Sequence, residues 1–114
     1  MLKAGTAARR RTLSWPEPQP PEALRKQIAV LLAGIGGRLA SVNPQWIGHI
    51  KVMVTSGAEA TYGSLTAATD RPQWAGALGH ALTHAEMTVY AAIYSLTDAQ
   101  VAQAVDSALA DLRG

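Results

Sequence analysis

Hydrophobic residues recur at helical spacing in two segments of the chain. In the first, Pro21 suits the first position of a helix, and Asn43 before Pro44 marks its end. The apolar stripe between them advances in steps of three and four residues: Leu24, Ile28, Leu31, Ile35, Leu39 and Val42. This spacing predicts a helix with one buried face over residues 21–42.

The second helical segment carries its own start signal. Thr97 and Gln100 form a capping-box pattern, and Leu96 with Val101 can form a hydrophobic staple. One face then holds the apolar positions Val101, Val105, Ala108, Leu109 and Leu112. A second long helix is therefore predicted after Thr97.

Three further segments alternate apolar and polar residues, as half-buried strands do, and they span residues 46–55, 59–67 and 86–94. Within residues 70–84, Asp70 before Pro72 is typical of a helix start and predicts a short helix. The predicted order is helix, strand, strand, short helix, strand, helix. It indicates an α+β fold in which a three-stranded antiparallel sheet, with more strands if copies associate, carries both long helices on one face.

The first 20 residues differ from the rest of the chain. Four prolines lie between positions 16 and 21, which forbids a helix and favours an extended path. We therefore expect residues 1–20 to form a basic, proline-rich arm that is flexible or docked on a partner through Trp15. Residues 21–114 are expected to form a single α+β domain.

Composition narrows the picture. The 114 residues suit one domain, and the absence of cysteine excludes disulfides, thiolate metal sites and cysteine nucleophiles. The chain has 22 alanines and 10 glycines, and such small side chains bury little area each. The core is therefore thin, and we expect a homo-oligomer because a partner would add buried surface. No apolar stretch approaches the length of about 20 residues that a membrane span needs. We expect an alanine-rich, cytoplasmic protein.

Positive charge is concentrated near the beginning of the chain. Residues 1–26 carry six lysines and arginines against two glutamates, whereas residues 27–114 carry four against six acids. The run Arg9, Arg10 and Arg11 can contact the phosphates of a nucleic acid. No nucleic-acid-binding motif follows the run, so a solvated basic segment is the favoured interpretation.

Three histidines and a glutamate raise the hypothesis of a metal site. On a helix, His80 and His84 would project from one face at a spacing that suits metal ligands. His49 and Glu86 can complete a set for zinc or another divalent cation. The segment lacks the glutamate that follows the first histidine in zincin metalloproteases, since Ala81 stands there, and isolated surface histidines remain the alternative.

Glycines at 34, 36 and 37 lie inside the first predicted helix rather than after a strand, and Leu39 stands where a dinucleotide-binding motif needs glycine. Three glycines within a helix cost up to about 1 kcal/mol each, so a packing reason is expected. We predict that this helix lies close to the sheet or to a second subunit.

The sheet face opposite the helices supplies the leading functional hypothesis. We expect it to carry His49, Lys51, Met53, Tyr62, Tyr90 and Tyr94. Mixed faces that bear aromatic residues suit sheet-to-sheet dimerisation or ligand docking. The chain has no nucleophile elbow, so we expect a non-catalytic domain that acts by self-association or by binding a protein partner through this face.

Two alternatives remain open. One is a small enzyme, or a ligand- or metal-binding protein, that uses His49, His80, His84 and Glu86. The other is nucleic-acid binding through Arg9 to Arg11.

Overall fold

The computed structural model describes residues 3–68 and 70–112 and contains five strands and two helices. In chain order these are β1 (Ala4–Gln19), α1 (Pro21–Val42), β2 (Ile47–Ser56), β3 (Glu59–Ala67), β4 (Gln73–Ala77), β5 (Leu82–Tyr94) and α2 (Asp98–Asp111). The strands form one sheet in the order β1-β5-β2-β3-β4, and every neighbouring pair is antiparallel. The α+β class holds, but the predicted three-stranded sheet and its order of elements are wrong.

Strand β1 is the first correction, because residues 4–19 were placed in an arm and instead form an edge of the sheet. The strand pairs with β5 from Ala4 opposite Tyr94 to Ser14 opposite His84. Its core-facing residues Leu13 and Trp15 are buried. Arg9 and Arg11 occupy other positions of the same face, which interrupts the alternation that would have indicated a strand.

Strand β4 is the second correction, because it replaces the predicted short helix. Trp74 lies opposite Gly63 of β3, where a Cβ atom would come within 2.8 Å of the indole ring. On α1, the Arg25 guanidinium lies 4.6 Å from the centre of the same ring. Alanine and glycine around Trp74 carry little strand signal of their own, so this tertiary packing decides the local structure.

The two long helices cover one face of the sheet. Helix α1 contacts β2 and β3, α2 contacts β1 and β5, and the helices contact each other. Helix α1 begins with Pro21, and its Gly36 carbonyl accepts a hydrogen bond of 3.1 Å from the buried Trp46 indole. At the start of α2, Thr97 and Gln100 make both hydrogen bonds of the capping box. Each helix therefore begins at its predicted signal.

The glycines of α1 have different surroundings. A Cβ atom on Gly34 would lie 3.6 Å from Ala108 of α2, and one on Gly36 would contact Leu65 and Trp46. These two glycines lie where the helix packs against its neighbours. No atom of the described chain lies within 4 Å of a Cβ built on Gly37, so packing within one copy does not explain that glycine.

No helix in residues 3–68 and 70–112 is long and apolar enough to cross a membrane.

Leu13→Ala tests whether β1 belongs to the folded core. Leu13 is 8% exposed, so its truncation should lower the free energy of unfolding by about 2–4 kcal/mol. Ser14→Ala, one residue further and exposed, is the matched control and should change it little. Denaturant unfolding followed by circular dichroism measures both. If both substitutions lower the free energy of unfolding equally little, residues 4–19 are a flexible arm rather than part of the core.

Candidate functional site

One face of the sheet is left uncovered by the helices, and we call it the open face. Its positions alternate along the strands with the buried ones, and β2, β3 and β5 supply most of its larger side chains. Tyr90 and Tyr94 of β5 are 43% and 47% exposed, and Ile47 at the start of β2 is 62% exposed. Exposed aromatic and aliphatic groups at adjacent positions are the usual mark of an interaction surface.

The strand register brings four side chains together in the middle of the open face, and we call them the central patch. On β2, Lys51 lies beside Tyr90 of β5, and Met53 lies beside Tyr62 of β3. The Lys51 ammonium group sits 4.2 Å from the centre of the Tyr62 ring, a cation–π contact. The patch is therefore apolar and aromatic, with one positive charge lying across it.

The other charged groups of the open face belong to β1 and β5. Arg10 Nε lies 3.4 Å from Glu86 Oε2, and the Thr12 hydroxyl donates to Glu86 Oε1 over 3.2 Å. Within the described residues, no carboxylate lies within ion-pair distance of Lys51. Its charge is thus free to meet an acid from another molecule.

All six residues predicted for this face lie on it. His49, Lys51 and Met53 occupy alternate positions of β2 on the open side, and the tyrosines at 62, 90 and 94 occupy β3 and β5. Lys51, Met53, Tyr62 and Tyr90 are adjacent, whereas His49 and Tyr94 lie towards one end. Their role as an interface is still a prediction.

The histidines do not come together. His84 lies on β5 rather than on a helix, and His49 lies opposite Ala92, eight residues further along that strand, or about 26 Å. His80, in the loop before β5, pairs instead with Glu59, whose Oε2 is 3.2 Å from its Nδ1. Among the described residues, no three or more His, Asp or Glu side chains are grouped as metal ligands.

The arginine run closes the free edge of β1. Arg9 donates to both carboxylate oxygens of Asp106 on α2, over 2.8 and 3.1 Å, and also to the Ala8 carbonyl at 2.8 Å. Arg11 donates to the carbonyl of Arg10 at 3.0 Å. The Thr6 amide bonds to Asp98 of α2 rather than to β5, and the backbone groups of alternate residues point to the same side of a strand, so the Ala8 and Arg10 carbonyls also face away from β5.

Other groups complete the protection of the sheet edges. The Thr6 amide of β1 donates to Asp98 of α2 over 2.8 Å, and Pro16 and Pro18 have no amide hydrogen to offer. At the opposite edge, β4 has only five residues and Gly76 has a φ of +73°. Occupied edge groups, prolines and short, irregular edge strands all discourage pairing with another chain.

A groove of about 340 Å³ lies between α1 and α2, on the helical side of the molecule. Val30 and Leu31 line it together with the stem of Arg38. The Arg38 guanidinium pairs with Asp111 and donates to the Gly34 carbonyl, so the chain itself satisfies this charge.

Comparisons with protein-family models, curated protein sequences and solved structures found no match to this chain.

Arg9→Gln tests the ion pair that anchors the β1 edge. Hydrogen bonds from Arg9 are the main reason that the pKa of Asp106 lies below its ordinary value, and the charges of Arg9 and Arg11 act in the same direction. A carboxyl group whose pKa is lower in the folded than in the unfolded protein stabilises the fold at pH values above the unfolded-state pKa. This stabilisation is lost as the pH falls through the folded-state pKa. The substitution should raise the pKa of Asp106 towards its ordinary value, as measured by NMR titration of the carboxyl carbon. Arg11→Gln, the control, should raise it less.

Loss of both edge-closing arginines should expose β1 to strand pairing. The double variant Arg9→Ser/Arg11→Ser frees the Ala8 and Arg10 carbonyls, so thioflavin T should report faster aggregation than in the unaltered protein. Lys26→Ser/Arg71→Ser removes two exposed charges elsewhere and serves as the control. If both double variants aggregate equally, net charge rather than edge closure is responsible.

Proposed function

We propose that this protein is a non-catalytic association domain whose open face packs against the open face of a second copy. The observation that carries the proposal is the central patch, in which Tyr90, Met53 and Tyr62 adjoin on a sheet face that no helix covers. Aromatic residues and methionine are enriched at protein interfaces. The small residues around them, such as Ala8 and Ala92, allow another surface to approach closely.

Closure of the sheet edges supports the face as the route of association. A strand edge offers backbone groups to any extended chain, but β1 presents side-chain-bonded carbonyls and prolines there. The face lacks such protection, because only Arg10, Lys51 and Glu86 bring charge to the described strand positions on that side.

The size of the face is sufficient. Four strands with seven residues and β4 with five, at about 4.8 Å spacing and about 3.3 Å per residue, give a surface of about 520 Å² on each copy. Two such surfaces bury about 1,000 Å², which is enough for a specific but modest interface. We therefore expect a reversible homodimer rather than an obligate one.

The alternative functions have less support. The wide separation of His49 from His84 weighs against an enzyme or a metal site built from these residues. The nucleic-acid hypothesis needs free arginines, but Arg9 pairs with Asp106 and Arg10 with Glu86. A chain without cysteine suits a reducing compartment, so we infer a cytoplasmic location.

Tyr90→Ala tests the proposed interface. Tyr90 is exposed in one copy, so its truncation should leave the fold intact but remove an aromatic contact from the dimer, weakening it at least about tenfold. Val30→Ala is the control, because Val30 is also exposed but lies on α1, on the opposite side of the sheet. Sedimentation velocity from low to tens of micromolar measures association. A strictly monomeric wild-type protein, or equal weakening by both variants, would overturn the proposal.

A further inference from the structure

Two of the three charged residues of the open face, Lys51 and Glu86, lie at equal distances on either side of one row of the sheet, and the third, Arg10, lies on that row opposite Thr88. Met53 of β2 lies beside Thr88 of β5. Lys51 lies two residues to one side of this row, and Glu86 lies two residues to the other side, opposite Thr55. Each charge is therefore about 7 Å from the row, measured along the strands.

We infer that two copies associate about a two-fold axis that crosses the strands at the Met53–Thr88 row, so that Lys51 of each copy pairs with Glu86 of the other. This inference rests on the proposed face-to-face association and adds its geometry. The axis lies between the two sheets, and rotation about it reverses the strand direction. A residue on one side of the row therefore faces a residue on the other side of the row in the second copy. It places Lys51 level with Thr55 of the second copy, one strand away from that copy's Glu86.

The side-chain chemistry favours this axis over the obvious alternative. An axis running parallel to the strands along β2 would set each Lys51 against Lys51 of the second copy with no carboxylate beside either, which is strongly unfavourable. The transverse axis sets Arg10 against Arg10 of the second copy, but each Arg10 already lies beside the Glu86 carboxylate of its own copy. The transverse axis gives each Lys51 the carboxylate that it lacks within one copy. It also places Met53 against Met53 of the second copy and Tyr62 against Tyr62 of the second copy. The two central patches therefore meet at the axis.

The ion pairs set the alignment of the dimer, whereas its affinity comes from the apolar patch. Desolvation of Lys51 and Glu86 offsets much of their attraction, so a correct pair adds little net free energy. A wrong pair is costly, because two like charges would then be held at the interface. Lys51 and Glu86 are thus specificity-determining residues for self-association.

Charge exchange tests the pairing directly. Lys51→Glu places two glutamates in each predicted contact, and Glu86→Lys places two lysines there, so each variant alone should associate at least about tenfold more weakly than the wild type. An equimolar mixture should recover association as a heterodimer, since every contact then joins one glutamate to one lysine. Sedimentation velocity of each variant and of the mixture measures the effect, with Lys51→Gln and Glu86→Gln as neutral controls.

The outcomes separate the two proposals. A monomeric wild-type protein would overturn the association itself. A wild-type dimer whose charge variants gain nothing from mixing would overturn only the axis. Circular dichroism checks that each variant is folded.

A cross-linking measurement keeps the axis testable even if a charge variant does not fold. The described chain has no free cysteine, so Met53→Cys introduces a unique thiol beside the axis. Stacked sheets lie about 10 Å apart, and a short bismaleimide of that span should link two copies efficiently. Ser14→Cys, which lies far from the predicted axis on β1, should link poorly. Equal linking at both positions would contradict the axis.

Discussion

The antiparallel alignment of β5 with both of its neighbours is the constraint on which the structure depends. Val89 lies opposite Arg9 of β1 on one side and Val52 of β2 on the other. Side chains alternate between faces, so a slip of one residue on either side would move tyrosines into the core and valines to the surface. One strand therefore decides which residues face the helices and which compose the open face.

This alignment also explains why the two surfaces of the sheet differ. The core side of β5 carries Met87, Val89, Ala91 and Ile93, all buried beneath the helices. The outward side carries charged, aromatic and small residues that no element covers. Because β1 contributes Arg9 to α2 and Arg10 to the open face, neighbouring arginines of a single run have different structural partners.

Local signals in the sequence were sufficient for the helices but not for the sheet. Pro21 and the Thr97–Gln100 capping box act through nearby backbone atoms, so their effect can be inferred from adjacent residues. The place of β1 depends on pairing with residues far along the chain, such as Ala4 with Tyr94. No short-range pattern encodes that partner, and the arginines hide the alternation. The metal-site hypothesis for His80 and His84 fails for a related reason. Residues four apart share one face of a helix, but His84 lies on a strand and His80 in the loop before it.

The long separation between β1 and β5 has a consequence for the order of folding. During synthesis the 16 residues of β1 emerge before the other four strands, and their partner β5 is the last of those strands to be made. Such long-range pairing is slow, and an unpaired strand is exposed to other chains while it waits. Charged residues and prolines within a strand reduce that hazard. The arginines and prolines of β1 thus act as gatekeepers in the nascent chain before they close an edge in the finished protein.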